Sequence, residues 1–238
     1  MLIDLHAHTS GISTCCRVPA PEIIKAAQDA GIDGIVLSNH YQRHYVKNGD
    51  AAAFAERYVK EYEYTKACGD AAGFRVFYGM ELTMELHSNA HILVYGVDPS
   101  FTLKYPETYA MTMADLYALV KENGGMLVQA HPFRGGKDVL QDLAYLDGVE
   151  ANSHPLYDAT HVDRLTKIAQ SAGLILTSGG DYHADTHRAH CGAYLPDDIT
   201  DTHGLRDFLL SAETMDIEIQ EPGEMQSRRV TYVRHPAP

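Results

Sequence analysis

The sequence predicts a parallel α/β fold, a compact barrel of six or seven strand–helix units in one domain, and three observations carry that prediction. Short runs rich in Ile, Val and Leu alternate with longer helical patterns along the chain, the signature of strands joined by crossover helices. Histidines and acids recur where the apolar runs end, which is where barrels place their sites. At 238 residues and 45% apolar composition the chain can bury a core of barrel size, and no linker or internal repeat divides it. One domain is therefore expected over 1–238, with the weakest pattern in 197–238.

The first apolar run, Leu2, Ile3 and Leu5, reads as a short buried strand ending in His6-Ala7-His8. Residues i and i+2 of a strand share a face, so both imidazoles can meet one small ion. Pro19-Ala20-Pro21-Glu22 opens a helix through Ala30, with Gly31 past its end. Gly34 to His40 is a second strand ending in a histidine. Asp50 caps a long helix through about Ala71, with Gly73 beyond it. Phe74 to Met84 is the third strand and carries Gly79-Met80-Glu81. The fourth, Ala90 to Gly96, has His91 at its start, which means either antiparallel pairing with the preceding strand or a ligand reached from the opposite end. A helix over Met113 to Glu122 stops at Asn123-Gly124-Gly125, and the strand Met126 to Ala130 ends at His131-Pro132. Then come a helix over Val139 to Tyr145, a strand from Gly148 to Asn152 followed by His154, and a helix from Asp158 to Ser171. The strand Leu174 to Thr177 delivers Gly179-Gly180-Asp181-Tyr182-His183. A helix around Leu205 to Ala212 and strand-like runs at Asp216 to Gln220 and Arg228 to Val233 complete the chain.

Composition excludes several classes. A formal charge of −13, from 19 Lys+Arg against 32 Asp+Glu, argues against a polymeric nucleic acid held by phosphate neutralisation. No apolar run approaches the roughly 20 residues of a membrane span. The start Met-Leu-Ile-Asp lacks the basic and apolar regions of a secretory signal, so a cytoplasmic protein is expected. Cys15, Cys16, Cys68 and Cys191 form no recognisable disulfide framework, and reduced thiols are the default. Nothing in the sequence speaks to oligomeric state.

The strand ends supply eight candidate ligands: His6, His8, His40, Glu81, His91, His131, Asp181 and His183. Any one histidine could be a hydrogen-bonded structural residue, but their joint placement after successive apolar runs argues against that for the set. Catalytic zinc takes about three protein ligands plus water. Eight donors, with carboxylates able to bridge, suit two or three divalent ions, and nitrogen and oxygen donors accept Zn, Mn or Fe.

In this order, with Asp4-Leu5-His6-Ala7-His8-Thr9, Ser38-Asn39-His40, Gly79-Met80-Glu81, His91, Ala130-His131-Pro132 and Gly180-Asp181-Tyr182-His183, the chain resembles the PHP (polymerase and histidinol phosphatase) family up to about Pro196. The resemblance implies a distorted, TIM-like (β/α)7 barrel with a di- or trinuclear site. There a metal-activated hydroxide would hydrolyse a small-molecule phosphate monoester, as in a histidinol-phosphatase-like phosphoesterase. Nucleotide phosphatases or phosphodiesterases and protein-tyrosine phosphatases are rival activities within the family. It further implies that His6, His8, Glu81 and Asp181 hold one ion, that Glu81 bridges to a second held by His91 and His131, and that His40 and His183 hold a third. Where the family often has His or Asp a few residues after His8, this chain has Ser13, Thr14, Cys15 and Cys16, and Cys15 or Cys16 can ligate as thiolate. Asn39 stands where Asp is usual, which is expected to loosen the orientation of His40.

A phosphate substrate needs fixed positive charge, and arginine grips it with paired hydrogen bonds. Arg134, in His-Pro-Phe-Arg-Gly-Gly, is the first choice, because Gly135 and Gly136 let backbone approach an anion. Arg17 and Arg43 also follow strand ends. For each of the three, a solvated surface arginine is the competing reading. The leaving group's proton could come from water, from Asp181 or from an exposed histidine such as His154. Tyr41, Tyr157 and Tyr182 either stack on a substrate ring or pack. Two other classes stay open. An amidohydrolase barrel also begins with His-x-His but commonly bridges its metals with a modified lysine, and this chain offers Glu81 and no lysine in its strand cores. A catalytically lapsed metal-binding module is the other, kept alive by the substitutions after His8.

Overall fold

A computed structural model describes residues 1–87, 90–184 and 190–236. The strand β1 (Leu2–Ala7) runs parallel to β2 (Gly34–Leu37). A two-residue β3 (His40–Tyr41) continues the line of β2, and both lie parallel to β4 (Arg75–Met84), with His40 opposite Glu81. Here the strict parallel pattern fails. The fourth strand, β5 (Ala90–Tyr95), is antiparallel to β4 and to β6 (Met126–Gln129), and it pairs His91 with Thr83. Reversal explains why its histidine precedes the apolar run: the start of β5 lies at the same end as the finish of β4. The parallel order then resumes through β6, β7 (Gly148–Asn152) and β8 (Ile175–Gly179).

Past β8 the chain returns to β1. Asp181 N–H donates to His6 O at 2.8 Å, Gly180 N–H donates to Asp4 Oδ1 at 2.9 Å, and Tyr182 bridges to Ala7. These bonds turn a mixed sheet into a nearly closed barrel. On the other side of β1 the sheet continues as an antiparallel flap of β9 (Gly192–Tyr194), β10 (Thr214–Ile219) and β11 (Arg228–Val233).

Helices cover the barrel: α1 (Ala20–Asp29), α2 (Ala51–Ala72), α3 (Pro99–Lys104), α4 (Met113–Glu122), α5 (Val162–Ala172) and α6 (Thr202–Ser211). Local chemistry sets several ends. Asp50 accepts the Ala53 N–H at the start of α2, Gly73 turns left-handed (φ 66°) at its end, and Thr112 caps α4 through the Asp115 N–H. Ile23, Ile24 and Ala27 of α1 pack on Ile35, Phe74 and Val76.

The helix expected over Val139 to Tyr145 is absent, leaving one 3₁₀ turn at Leu143–Tyr145. Its backbone is taken by the Gln129 side chain, whose Nε2 donates to Val139 O and whose Oε1 accepts the Gln141 N–H, both at 2.8 Å. Likewise α5 starts at Val162 and not near Asp158, because His161 is left-handed (φ 55°). No helix among the described residues is long and apolar enough to cross a membrane.

Candidate metal centre

The structure gathers all eight candidate side chains into one cluster, with Glu81 of β4 at its middle. Its Oε1 lies 2.6 Å from His91 Nδ1 and 3.1 Å from His131 Nε2. Its Oε2 abuts His40 Nδ1 and lies 3.6 Å from His6 Nε2 and 3.5 Å from His8 Nε2. Asp181 Oδ1 closes the inner group at 3.4 Å from His6 Nε2 and 3.0 Å from His8 Nε2. His183 Nε2 is 3.4 Å from His40 Nε2, and His8, His40 and His183 form a further group of three converging donors. His40 therefore stands between Glu81 and His183, in contact with both.

Burial drives the electrostatics. His6, His8 and Glu81 have no solvent exposure. Burial alone would push both carboxyls up, but the surrounding imidazoles, His40, His91 and His6 for Glu81 and His6, His8 and His183 for Asp181, hold them well below the usual carboxylate range. Among the rings, burial pulls His6 down but Glu150, Asp181 and Glu81 raise it well above its ordinary value, whereas burial with His183 and His40 drives His8 well below.

Three buried atoms facing this cluster, Glu81 Oε2, Asp181 Oδ1 and His40 Nδ1, touch other polar atoms of the cluster but make no well-formed hydrogen bond. Leaving such atoms unpaired in a protein interior is costly. A set of imidazole nitrogens and carboxylate oxygens with unsatisfied inward atoms is the donor set that divalent transition ions take, so the residues fit such ions.

A second layer aims the rings. His8 Nδ1 is 3.0 Å from Ser13 Oγ, which donates to Asn39 Oδ1 at 2.8 Å and accepts the His40 N–H at 3.0 Å. A serine oxygen engaged this way leaves the His8 proton on Nδ1 and its Nε2 lone pair facing inward. Asn39 reaches His40 through Ser13 and is itself held at both ends. Its Oδ1 also accepts the Thr9 N–H, and its Nδ2 donates to Thr9 Oγ1 at 2.9 Å, a bond a carboxylate could not donate. Backbone at the rim is strained: His131, Phe133 and Asp181 have φ of 29°, 74° and 50°.

The two cysteines separate. Cys16 is buried, its thiol pointing at His8 O (3.5 Å) and Val18 O (3.7 Å), and burial pushes it up to about 11. Among the described residues it joins none of the groups of converging donors. Cys15 is exposed, and hydrogen bonds to His183 and His40 outweigh its partial burial and lower it to about 6.

The arginines separate too. Arg134 Nη1 sits 3.4 Å from His131 Nε2 and 2.8 Å from the Tyr157 hydroxyl, while its Nε binds Asp138 at 2.7 Å. Arg43 is committed elsewhere, to Glu85 at 2.7 Å, and the exposed Arg17 meets the site through its backbone N–H to His183 O at 2.9 Å. His154 is buried, not exposed as expected; it joins Asp181 and His183 and stacks on Tyr157 at 4.3 Å. Tyr157 donates to Asp181 Oδ2. Tyr41 and Tyr182 pack in the apolar clusters.

Sequence reasoning missed Glu150, Ser13 as a bridge, and Asp138. A glutamate in the middle of the run Gly148-Val149-Glu150-Ala151-Asn152 was the available signal, since a buried strand rarely carries an unpaired acid. Its room comes from Gly179, where an added Cβ would lie 2.4 Å from His6 Cβ and 2.7 Å from Glu150 Oε1.

Fold and site together define an α/β barrel with a buried cluster of metal-capable donors at the barrel's rim. Two solved structures share the architecture. PsfC from Pseudomonas syringae PB-5123 aligns with a TM-score of 0.64 at 20% identity, over 96% of this chain and 90% of that one. A protein from Bifidobacterium adolescentis, provisionally assigned as a metal-dependent phosphoesterase, aligns with a TM-score of 0.55 at 17% identity, over 87% and 95%. An amidohydrolase from Chromobacterium violaceum, solved with sulfate and no metal, aligns more loosely, at a TM-score of 0.49 and 18% identity over 83% and 93%. No protein-family model and no curated protein matches the chain. At these identities the likeness speaks to fold alone.

Proposed function

We propose that this chain is a metal-dependent phosphoesterase of the PHP type that hydrolyses a small-molecule phosphate monoester. The observation that carries this reading is the position of Arg134, its guanidinium 3.4 Å from His131 Nε2 at the edge of the carboxylate–histidine cluster. Cation-holding and anion-holding groups side by side are what a phosphate ester requires, and a purely structural ion needs no such arginine. His6, His8, Asp181 and Glu81 would hold one ion, and Glu81 with His91 and His131 a second. His40 and His183 with Cys15 would hold a third. Divalent ions in such a site acidify water and neutralise phosphoryl charge.

The chain's own groups do the rest. Arg134 holds phosphoryl oxygens, kept in place by Asp138 and Tyr157. Asp181, held ionised among histidines, accepts hydrogen bonds and is poorly suited to give a proton. His154 has a different use: its Nδ1 accepts the Leu156 N–H at 3.1 Å, so the neutral ring carries its one proton on Nε2 and can donate a hydrogen bond without giving that proton up. We assign it a hydrogen bond to the leaving-group oxygen, with water supplying the proton that the alcohol takes. The test is a panel of phosphomonoesters, nucleotides and a lactone, assayed after chelation with Mn²⁺, Zn²⁺ or Fe²⁺ restored separately. Turnover of a monoester that depends on added metal is expected; turnover of the lactone alone would overturn the proposal.

A further inference from the structure

Glu150 lies wholly buried in β7 against His6 of the cluster, and among the described residues no lysine or arginine bonds to it. Its oxygens instead collect groups from three places. His6 Nδ1 lies 3.0 Å from Oε1 and 3.2 Å from Oε2. The backbone N–H of His131 donates to Oε2 at 3.0 Å, and Asn152 Nδ2 donates to the same oxygen at 3.0 Å. Asn152 in turn accepts the His154 N–H on Oδ1 at 2.8 Å.

Burying a carboxylate costs several kcal/mol unless its lone pairs are filled, so an acid retained here needs a reason. Each bond suggests one. An acceptor at Nδ1 keeps the His6 proton there and turns its Nε2 toward Glu81 and Asp181. An acceptor for the His131 N–H holds the left-handed backbone at φ 29°, from which that ring reaches Glu81 Oε1. The bridge through Asn152 ties His154 to the same anchor. A solitary carboxylate thus spans β1, the end of β6, and β7.

We infer that Glu150 is a positioning residue of the metal centre, acting through the ring of His6 and the backbone of His131 without touching ion or substrate. The inference rests on the metal centre of the proposed function, though not on its substrate. In Glu150→Gln an oxygen becomes a donor, facing either the N–H groups of His131 and Asn152 or, with the amide turned, His6 Nδ1, where it would drive the His6 proton to Nε2; in Glu150→Asp the carboxylate keeps its charge but falls a methylene short of His6.

The experiment is Zn²⁺ competition against a chromophoric chelator on the full chain, with far-UV circular dichroism and thermal melting of the metal-free protein as the check on folding. Both variants should bind Zn²⁺ about 10- to 100-fold more weakly, the range seen when an outer-shell partner of a metal ligand is removed. In a His6→Ala background, Glu150→Gln should add far less, because partners in one chain of action are not additive. Co²⁺ loaded into Glu150→Asp should show a changed visible spectrum. Wild-type affinity and spectrum in a folded Glu150→Asp, or an undiminished effect of Glu150→Gln in the His6→Ala background, would overturn the assignment. A wild-type chain that binds Zn²⁺ yet hydrolyses no phosphate would sink the esterase reading and leave this one standing.

Discussion

His6 and Glu81 stand on strands and His8 one residue past β1 without a positive φ, whereas His131 and Asp181 stand on left-handed backbone just past strand ends, and the two kinds of ligand meet in one cluster. The two-residue spacing at the end of β1 puts His6 and His8 on one side, and pairing of β3 with β4 sets His40 beside Glu81. Nothing so cheap aims the other two. A non-glycine residue at positive φ costs on the order of 1–3 kcal/mol, and it persists only where neighbours over-determine it. Asp181 is pinned by its N–H to His6 O, and His131 by its N–H to Glu150. Strand-borne ligands come from the fold, and loop-borne ligands must be held by it.

The comparison breaks most completely at Glu81, which both kinds of ligand touch. Glu81→Ala should lose at least one ion per chain by elemental analysis and lower metal-dependent turnover by at least about 10³-fold, since it removes the shared carboxylate. Retained metal would show that the loop-borne residues hold ions unaided. Next comes the loop after β6. Arg134→Ala should raise KM by about 10- to 100-fold, the worth of a hydrogen bond to a charged group, with kcat little changed. A fall in kcat with unchanged KM would instead tie Arg134 to the transition state.

The smallest effect concerns Cys15, on the loop after β1. A thiol lowered to about 6 from 9.0 is thiolate above that pH and loses its reactivity below it. Metal-free protein treated with iodoacetamide should therefore alkylate Cys15 at neutral pH while the buried Cys16, pushed up to about 11, stays unmodified in peptide mass maps. A Cys15 midpoint near 9 would remove it from the company of His40 and His183.

The same division explains what could be read from the chain alone. Met113–Glu122 was legible to the residue because its Thr112 cap and its Asn123-Gly124-Gly125 stop are local, and Gly148–Asn152 because glycine and a polar residue bound it. Seven of the eight candidate ligands were visible because each marks the edge of an apolar run, and Glu81, inside one, through the ordered set of motifs to which Gly79-Met80-Glu81 belongs. Contacts distant in sequence hid the rest. Gln129 claims the backbone that would have been helix near Val139, and His161 turns left-handed where helix was expected. Reversal of β5 was one of two options until its pairing decided it. Glu150 marks no edge; its meaning lies in His6, which is 144 positions away. The shared use of Asp138 by His131 and Arg134 depends on a loop with no regular pattern.

Depth within the cluster carries a last consequence. The side chains of His6, His8 and Glu81 are sealed at 0% exposure, while those of His183, His91 and Arg134 remain 13%, 15% and 28% open. Solvent therefore meets the outer rings first, and the oxygens between His6 and His8 last. An ion held at that innermost position would trade places with the surrounding solution more slowly than one held beside His183.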